Sequence, residues 1–171
     1  MQNTGQIFAY DDDRNRLKPI FERVKRAGVR NVQILKGGDQ KALEALGPHR
    51  PSVVLVGAQA IYLHTGEGDI AVAPFTTDAD VIIDPQGLGE RPILGEALQA
   101  AGFVAAEQPG QWTKNMVRVD LMVPDAVAGA GRRGVRLGPH GNRVARKARG
   151  LEGALVDREL RQLPSLADAA R

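Results

Sequence analysis

The sequence of 171 residues contains no cysteine and few aromatic residues. The lack of cysteine excludes disulfide bonds, thiolate metal sites and a cysteine nucleophile. No apolar run approaches the roughly 20 residues that a membrane-spanning helix requires. The N-terminus lacks the basic, apolar and small-residue segments of a secretory signal peptide. We therefore expect a cytoplasmic protein that does not enter a membrane.

The length and the ordinary proportions of apolar and charged residues fit a globular protein with one domain or two very small ones. The net charge is +3, but the segment from Arg132 to Arg149 holds seven Lys or Arg residues and no acid. This basic stretch is either a solvated surface or a contact surface for the phosphates of a nucleotide or nucleic acid. Because it contains no aromatic residue, it offers no base-stacking platform.

The first fifty residues show a strand, a helix and a strand in close succession. Strands are predicted at 5–11 and 31–35, where apolar residues cluster. Between them, residues 11–28 have apolar side chains at helical spacing, aspartates that can cap the helix start, and Gly28 at the end. Elements joined this tightly predict a right-handed βαβ unit.

Short helices and strands also alternate beyond residue 40. The predicted helices are 41–46, 58–66 and 90–103, the predicted strands are 53–57, 79–83 and 112–124, and 150–160 is a strand or a helix. The loop 47–52 contains a glycine and two prolines. It is the candidate junction between two predicted domains, 1–50 and 51–171.

The segment 75–84, FTTDADVIID, places two aspartates one residue apart beside an apolar run. Residues two apart in a strand point to the same side, so Asp78 and Asp80 direct both carboxylates at one spot. Two like charges there cost stability unless a cation lies between them. The alternative is that both acids are solvated where the strand begins.

Asp120 lies within the apolar strand 112–124, on the face opposite its valines. A carboxylate in this position is costly unless it has a partner, and a structural partner such as Arg118 is one explanation. If this strand instead pairs beside strand 79–83, three carboxylates converge. Such hard oxygen ligands suit Mg²⁺ or Mn²⁺, which activate hydroxyls and stabilise phosphoryl charge.

Three segments, LVGAQAIYLH, TTDADVIID and VRVDLMVP, together resemble the nucleotidyltransferase superfamily with the polymerase-β-like fold, and in particular its AbiE-type toxin subgroup. The resemblance covers about residues 52–160. It implies a set of residues that contact the nucleotide phosphates: Gly57, Ala58 and Thr77. It also implies a catalytic and metal-binding set, Asp78, Asp80 and Asp120. In the family pattern the last of these also helps to deprotonate the acceptor hydroxyl.

The chain departs from the family pattern at three places. Ala58 stands where the family has a second glycine or a serine, so a hydroxyl contact to phosphate is missing. The arginine that often precedes the aspartate pair is absent at 74–76, and the chain ends before the helical region that usually follows. These departures favour an alternative, a catalytically silent module that binds nucleotide or RNA.

Residues 4–49 instead resemble the Rossmann-like core of ribosomal-RNA cytosine-5 methyltransferases. The resemblance implies that Asp11, at the end of a strand, holds the ribose of S-adenosylmethionine, and that Asp39, in KGGDQ, lies near the adenine. An acid at the C-terminal end of a strand can accept hydrogen bonds from both ribose hydroxyls. Methyl transfer through a cysteine adduct is excluded, so we expect a vestigial cofactor site in a fusion or chimera of two fragments.

Together these features predict an α/β protein with a nucleotidyltransferase-like mixed sheet and helices, preceded by a Rossmann-like βαβ fragment. We expect metal-dependent transfer of a nucleoside monophosphate from a nucleoside triphosphate to a hydroxyl acceptor. The basic stretch suits an RNA acceptor such as tRNA. Two alternatives stay open: a catalytically silent nucleotide- or RNA-binding fusion, and a methyltransferase remnant that binds S-adenosylmethionine.

Overall fold

The computed structural model describes residues 7–11, 14–28, 32–36, 42–57, 60–61, 78–114, 117–130 and 133–160. These residues form helices and two β-sheets, one of two strands and one of six, so the protein belongs to the α/β class. No helix in these ranges is long and apolar enough to cross a membrane.

The N-terminal segment forms the predicted strand, helix and strand. β1 (Ile7–Asp11) and β2 (Val32–Lys36) pair in parallel, and α1 (Arg14–Arg26) connects them. Parallel neighbours require such a crossover, because a tight turn joins only antiparallel strands. Among the described residues, this two-stranded sheet shares no strand pair with the larger sheet. The aspartates at positions 12 and 13, predicted to cap the helix, lie outside the described residues.

The described part of the larger sheet is mixed. Its strands are β3 (Val53–Val56), β4 (Asp78–Ile83), β5 (Val104–Ala105), β6 (Gln111–Lys114), β7 (Val117–Pro124) and β8 (Arg146–Ala148). The order is β3-β4-β7-β6-β5, and β8 pairs with the end of β7 beyond the residues that pair with β6. β7 is therefore the central strand, parallel to β4 and β8 and antiparallel to β6.

The prediction of one strand over 112–124 is wrong. The segment forms two strands, β6 and β7, which pair with each other in antiparallel register. No glycine or proline stands between Lys114 and Val117 to mark a reversal, so the apolar pattern of the two strands looks continuous in the sequence. The short strands β5 and β8 were not predicted.

The helices are shorter than the sequence pattern indicates. α2 (Leu94–Ala100) covers only the middle of the predicted helix 90–103, and Gly102 follows it with a φ of +86°. Residues 42–45 form a single helical turn, and the predicted helix 58–66 is described only at 60–61. The segment predicted as a strand or helix at 150–160 contains a 3₁₀ turn, Glu152–Leu155.

The two faces of β4 and β7 differ in their chemistry. One face presents Val81, Ile83, Val119 and Leu121, which are all fully buried in the core. The other elements of this core contribute Leu46, Leu94, Leu98, Phe103 and Trp112. Each large apolar side chain buried there stabilises the fold by about 1.5–3 kcal/mol. Because successive residues alternate, the intervening positions of the same strands form the opposite face.

Two buried histidines anchor the loop before α2. His49 Nε2 donates to Pro92 O at 2.7 Å, and His140 Nε2 donates to Gly89 O at 2.9 Å. His140 Nδ1 accepts from the backbone N–H of Leu94 at 3.1 Å. Both ring nitrogens of His140 are thus engaged with backbone groups, and this side chain is part of the packing rather than of a mobile loop.

Candidate active site

The parallel pairing of β4 with β7 brings the three predicted carboxylates to one face of the sheet. Asp80 lies opposite Asp120, and Asp78 lies opposite Arg118. All four residues occupy the face that points away from the core valines. The arrangement follows from strand alternation, because residues 78 and 80, and likewise 118 and 120, are two apart.

The guanidinium of Arg118 connects carboxylates on the two strands. Its Nη2 donates to Asp78 Oδ2 at 2.5 Å, and its Nε lies 3.5 Å from Asp120 Oδ1. The hydrogen bond to Asp78, followed by the negative charge of Asp120, raises the pKa of Arg118. Arg118 was the structural partner that the sequence suggested for Asp120, and in the structure it contacts both aspartates.

Asp120 is the most buried member of the cluster. Its side chain is 6% exposed, and its Oδ2 accepts from Arg146 Nη2 at 3.2 Å. Its Oδ1 accepts no hydrogen bond from the described residues. A buried carboxylate oxygen without a donor is costly, so this atom is a candidate ligand for a cation.

Asp80 lacks the arginine partners that its neighbours have. No ion pair or hydrogen bond from the described part of the chain reaches its carboxylate. Burial raises the pKa of Asp80, and the negative charges of Asp78 and Asp120 raise it further, while Arg146 and Arg118 oppose the shift. The site is therefore short of positive charge at this carboxylate.

Gly57 lies directly against Asp80. Its φ of +71° is in the left-handed region, and a Cβ atom at this position would lie 2.6 Å from Asp80 Oδ2. The preceding residue, Val56, pairs with Asp80 across the β3–β4 ladder. Only glycine satisfies both the backbone angle and the close approach. The structure thus brings the predicted phosphate-binding glycine and one of the predicted metal ligands together.

A cavity of about 460 Å³ opens beside these residues. Gly57 and Asp80 line it together with three members of the basic stretch, Arg146, Lys147 and Arg149. Its volume lies within the range of small-molecule sites, about 300–1,000 Å³. The cavity combines carboxylates with basic side chains, which is the mixture that a metal-bound phosphate ligand requires.

The basic residues around the cavity differ in how firmly neighbouring residues hold their side chains. Lys147 Nζ lies 3.4 Å from Asp125 Oδ1 and donates to Gly129 O, so it is tied to the end of β7. Arg149 is 92% exposed, and its Nε lies 3.5 Å from the other Asp125 oxygen. An exposed pair of this kind is weak. Arg149 is therefore available to a ligand, whereas Lys147 is held in place.

Arg146 is a residue of the candidate site that the sequence did not single out. It was part of the basic stretch, but no local signal separated it from the six other basic residues. Its position follows from the pairing of β8 with β7, where Arg146 lies opposite Met122 and so shares the face of Asp120. Arg146 is the first residue of this three-residue strand, which is too short for an alternating pattern to predict it.

Four other predicted site residues lie outside the described residues or in the smaller sheet. Ala58, Thr77 and Asp39 lie outside the described residues. Asp11 is the last residue of β1, in the two-stranded sheet. The structure therefore places Gly57 beside Asp80 and puts the three predicted aspartates on one face of the sheet.

The donor atoms fit a hard divalent cation in type. Asp80 and Asp120 Oδ1 offer carboxylate oxygens that accept no hydrogen bond from the described residues. Within the described ranges, no three side chains among His, Asp and Glu are close enough together to hold a metal ion. In the observed side-chain conformations, Asp80 and Asp120 are the two residues placed to share a cation. Asp78 is instead hydrogen-bonded to Arg118.

Comparisons with known proteins yield no relative of this chain. No protein-family model matches the sequence, and neither a curated protein nor a solved structure matches it. What the chain does must therefore be inferred from its residues and their geometry.

Proposed function

We propose that this protein is a metal-dependent nucleotidyltransferase, which moves a nucleoside monophosphate from a nucleoside triphosphate to a hydroxyl acceptor and releases pyrophosphate. The observation that carries the proposal is the register of β4 and β7, which sets Asp80 beside Asp120 with Asp78 on the same face. The mixed sheet and the contact of Gly57 with Asp80 agree with the nucleotidyltransferase resemblance of the sequence.

Each residue has a role that its surroundings support. Asp80 and Asp120 would hold a divalent cation through carboxylate oxygens that accept no hydrogen bond from the described residues, and Asp78 would join them once Arg118 releases it. A cation bound there supplies charge neutralisation at the phosphates and a more acidic acceptor hydroxyl. Gly57 leaves room for a phosphate to approach the backbone next to Asp80.

The basic stretch supports a polyanionic acceptor such as tRNA or another RNA. Arg146, Lys147 and Arg149 line the cavity, and Arg133 and Arg136 are exposed. Phosphate contacts by such residues give affinity without sequence specificity. Since the stretch contains no aromatic residue, we expect the acceptor to be held by its backbone rather than by base stacking.

A second candidate is a catalytically silent module that binds nucleotide or RNA. The observation that favours it is the pairing of Arg118 with Asp78 and of Arg146 with Asp120, which engages the carboxylates that catalysis needs. The two candidates differ in turnover and not in nucleotide binding. The methyltransferase remnant, based on Asp11 and Asp39, is a hypothesis from the sequence alone.

Thermal unfolding with added ligands tests the proposal first. We expect ATP or CTP with Mg²⁺ to raise the melting temperature, because a ligand at 100 times its Kd adds about 2.7 kcal/mol. Asp80→Asn should abolish this ligand-induced shift, whereas Glu96→Gln, which removes an exposed carboxylate of α2, should retain it. A shift with S-adenosylmethionine alone would assign the function to the N-terminal fragment instead.

Turnover separates the enzyme from the silent module. The protein is incubated with nucleoside triphosphates labelled at the α-phosphate and with total RNA, and label transfer to RNA is measured. We expect transfer that requires Mg²⁺ or Mn²⁺ and that Asp120→Asn eliminates. Nucleotide binding without any label transfer would support the silent module. The absence of both would contradict the proposed function.

A further inference from the structure

The charges on the site face do not balance. Among the described residues, three carboxylates, Asp78, Asp80 and Asp120, share it with two guanidiniums, Arg118 and Arg146. The arginines contact Asp78 and Asp120, and within the described part of the chain the Asp80 carboxylate has no ion pair. Free metal ions must therefore compete with arginines for two of the three acids.

The arginines can leave this cluster more easily than the aspartates can. The side chains of Arg118 and Arg146 are 46% and 34% exposed, whereas that of Asp120 is 6% exposed. A partly exposed arginine can rotate into solvent without disturbing the core, because its long stem is flexible. The buried carboxylate on the central strand has no such freedom.

The surroundings also offer Arg146 a second partner, and Arg118 lies on the same face of the sheet. Arg146 lines the cavity next to Gly57, on whose backbone the phosphates of the proposed substrate would lie. Guanidinium groups bind phosphate oxygens with the same paired donors that they use for carboxylates. A nucleoside triphosphate carries enough negative charge to replace both aspartates as a partner.

We propose that Arg118 and Arg146 exchange partners when substrate binds, from the aspartates to the phosphates of a metal-bound nucleotide. This inference rests on the proposed function and adds a regulatory consequence to it. Metal alone binds weakly, because the arginines occupy Asp78 and Asp120. Metal and nucleotide together bind tightly, because the metal takes the aspartates of the existing ion pairs and the phosphates take the arginines. The two ligands therefore bind cooperatively.

Two affinities test the exchange in folded protein. The Kd of Mn²⁺ alone is measured from the electron paramagnetic resonance signal of the free ion. The Kd of a preformed complex of Mn²⁺ with a non-hydrolysable nucleoside triphosphate is measured by calorimetry. In Arg146→Gln, which removes a cavity-lining guanidinium, we expect Mn²⁺ alone to bind about fivefold or more tightly than in the wild type and the complex to bind less tightly, on the scale of known couplings.

Arg136→Gln is the matched control. It removes the same charge from an exposed position of the basic stretch that does not line the cavity. We expect it to change both affinities little, which separates the exchange from a general effect of net charge. Arg118→Gln provides a second, independent variant if Arg146→Gln does not fold, as judged by circular dichroism and thermal unfolding.

The outcomes separate the inference from the proposed function. If both arginine variants bind free Mn²⁺ no more tightly than the wild type, while the wild type binds the complex, the exchange is refuted and the nucleotide site stands. If the wild type binds neither Mn²⁺ nor the complex, the proposed function itself is wrong. Opposite changes of the two affinities in one variant would support the exchange, since a purely structural arginine would not produce them.

Discussion

Replacing Gly57 with alanine tests the contact that joins the glycine turn to the carboxylates. The new Cβ would lie 2.6 Å from Asp80 Oδ2, whereas ordinary contact begins at 3.4 Å, so the carboxylate must move. The substitution also places a non-glycine residue at a φ of +71°. A loss of stability could therefore come from the contact with Asp80 or from the backbone strain of a positive φ.

Gly129→Ala separates them. Gly129 has a φ of +67°, and a Cβ there would meet nothing within 4 Å. The left-handed backbone costs an L-residue about 1–2 kcal/mol, and in a protein of this size that lowers the melting temperature by about 2–8 °C. We expect this loss in both variants. Gly57→Ala should lose a further 0.5–1.5 kcal/mol or so, the approximate cost of moving Asp80 off its rotamer.

Urea unfolding measures the free energy of unfolding of each variant, and the thermal shift with Mg²⁺ and nucleotide measures ligand binding at the site. We expect Gly129→Ala to keep the ligand-induced shift and Gly57→Ala to lose most of it, because the displaced carboxylate could no longer share the proposed cation with Asp120. If the two variants show equal stability and equal ligand shifts, the close approach of Gly57 to Asp80 plays no part in binding, and the reasoning fails.

Three further predictions concern stability. Burial and the two neighbouring aspartates raise the pKa of Asp80, so the free energy of unfolding falls as pH rises from about 3.9, the ordinary aspartate value, through the higher folded pKa. Asp80→Asn should therefore stabilise the ligand-free protein at pH 7 by about 0.2–1 kcal/mol, which is the scale of interactions between cross-strand pairs. At pH 3.5 the substitution should have no such effect, and a loss of stability at pH 7 would contradict the prediction. His140→Ala should cost about 1–3 kcal/mol in urea unfolding, because it leaves the Leu94 N–H without its acceptor; an unchanged midpoint would show that this bond is dispensable. Trp112→Phe should cost about 1 kcal/mol through the lost bond to Val144 O, and a neutral result would mean that water replaces the indole donor.

Strand alternation made the central part of the site predictable from sequence. The apolar residues of β7 identified one face, and Asp120 then had to lie on the other. The sequence could state the convergence of the three aspartates only as a condition, that their strands be neighbours. The parallel pairing of β4 and β7 meets this condition.

The parts of the fold and the site that were not predicted depend on long-range strand pairing. The segment between β6 and β7 carries no glycine or proline, and β8 is three residues long, so neither produced a clear local signal. The position of Arg146 depends on which strand β8 joins, which is a tertiary fact. The burial of His140 also depends on residues about fifty positions away, which no local pattern reports.

The register of β7 has a consequence for how the chain tolerates insertions and deletions. One face of this strand supplies core side chains and the other supplies Arg118 and Asp120, so the two sets are interleaved residue by residue. Adding or removing one residue in the strand would turn Asp120 toward the core and Leu121 toward the site. Loss of the site would then coincide with loss of the fold, and surviving length variants should have their changes outside the strand.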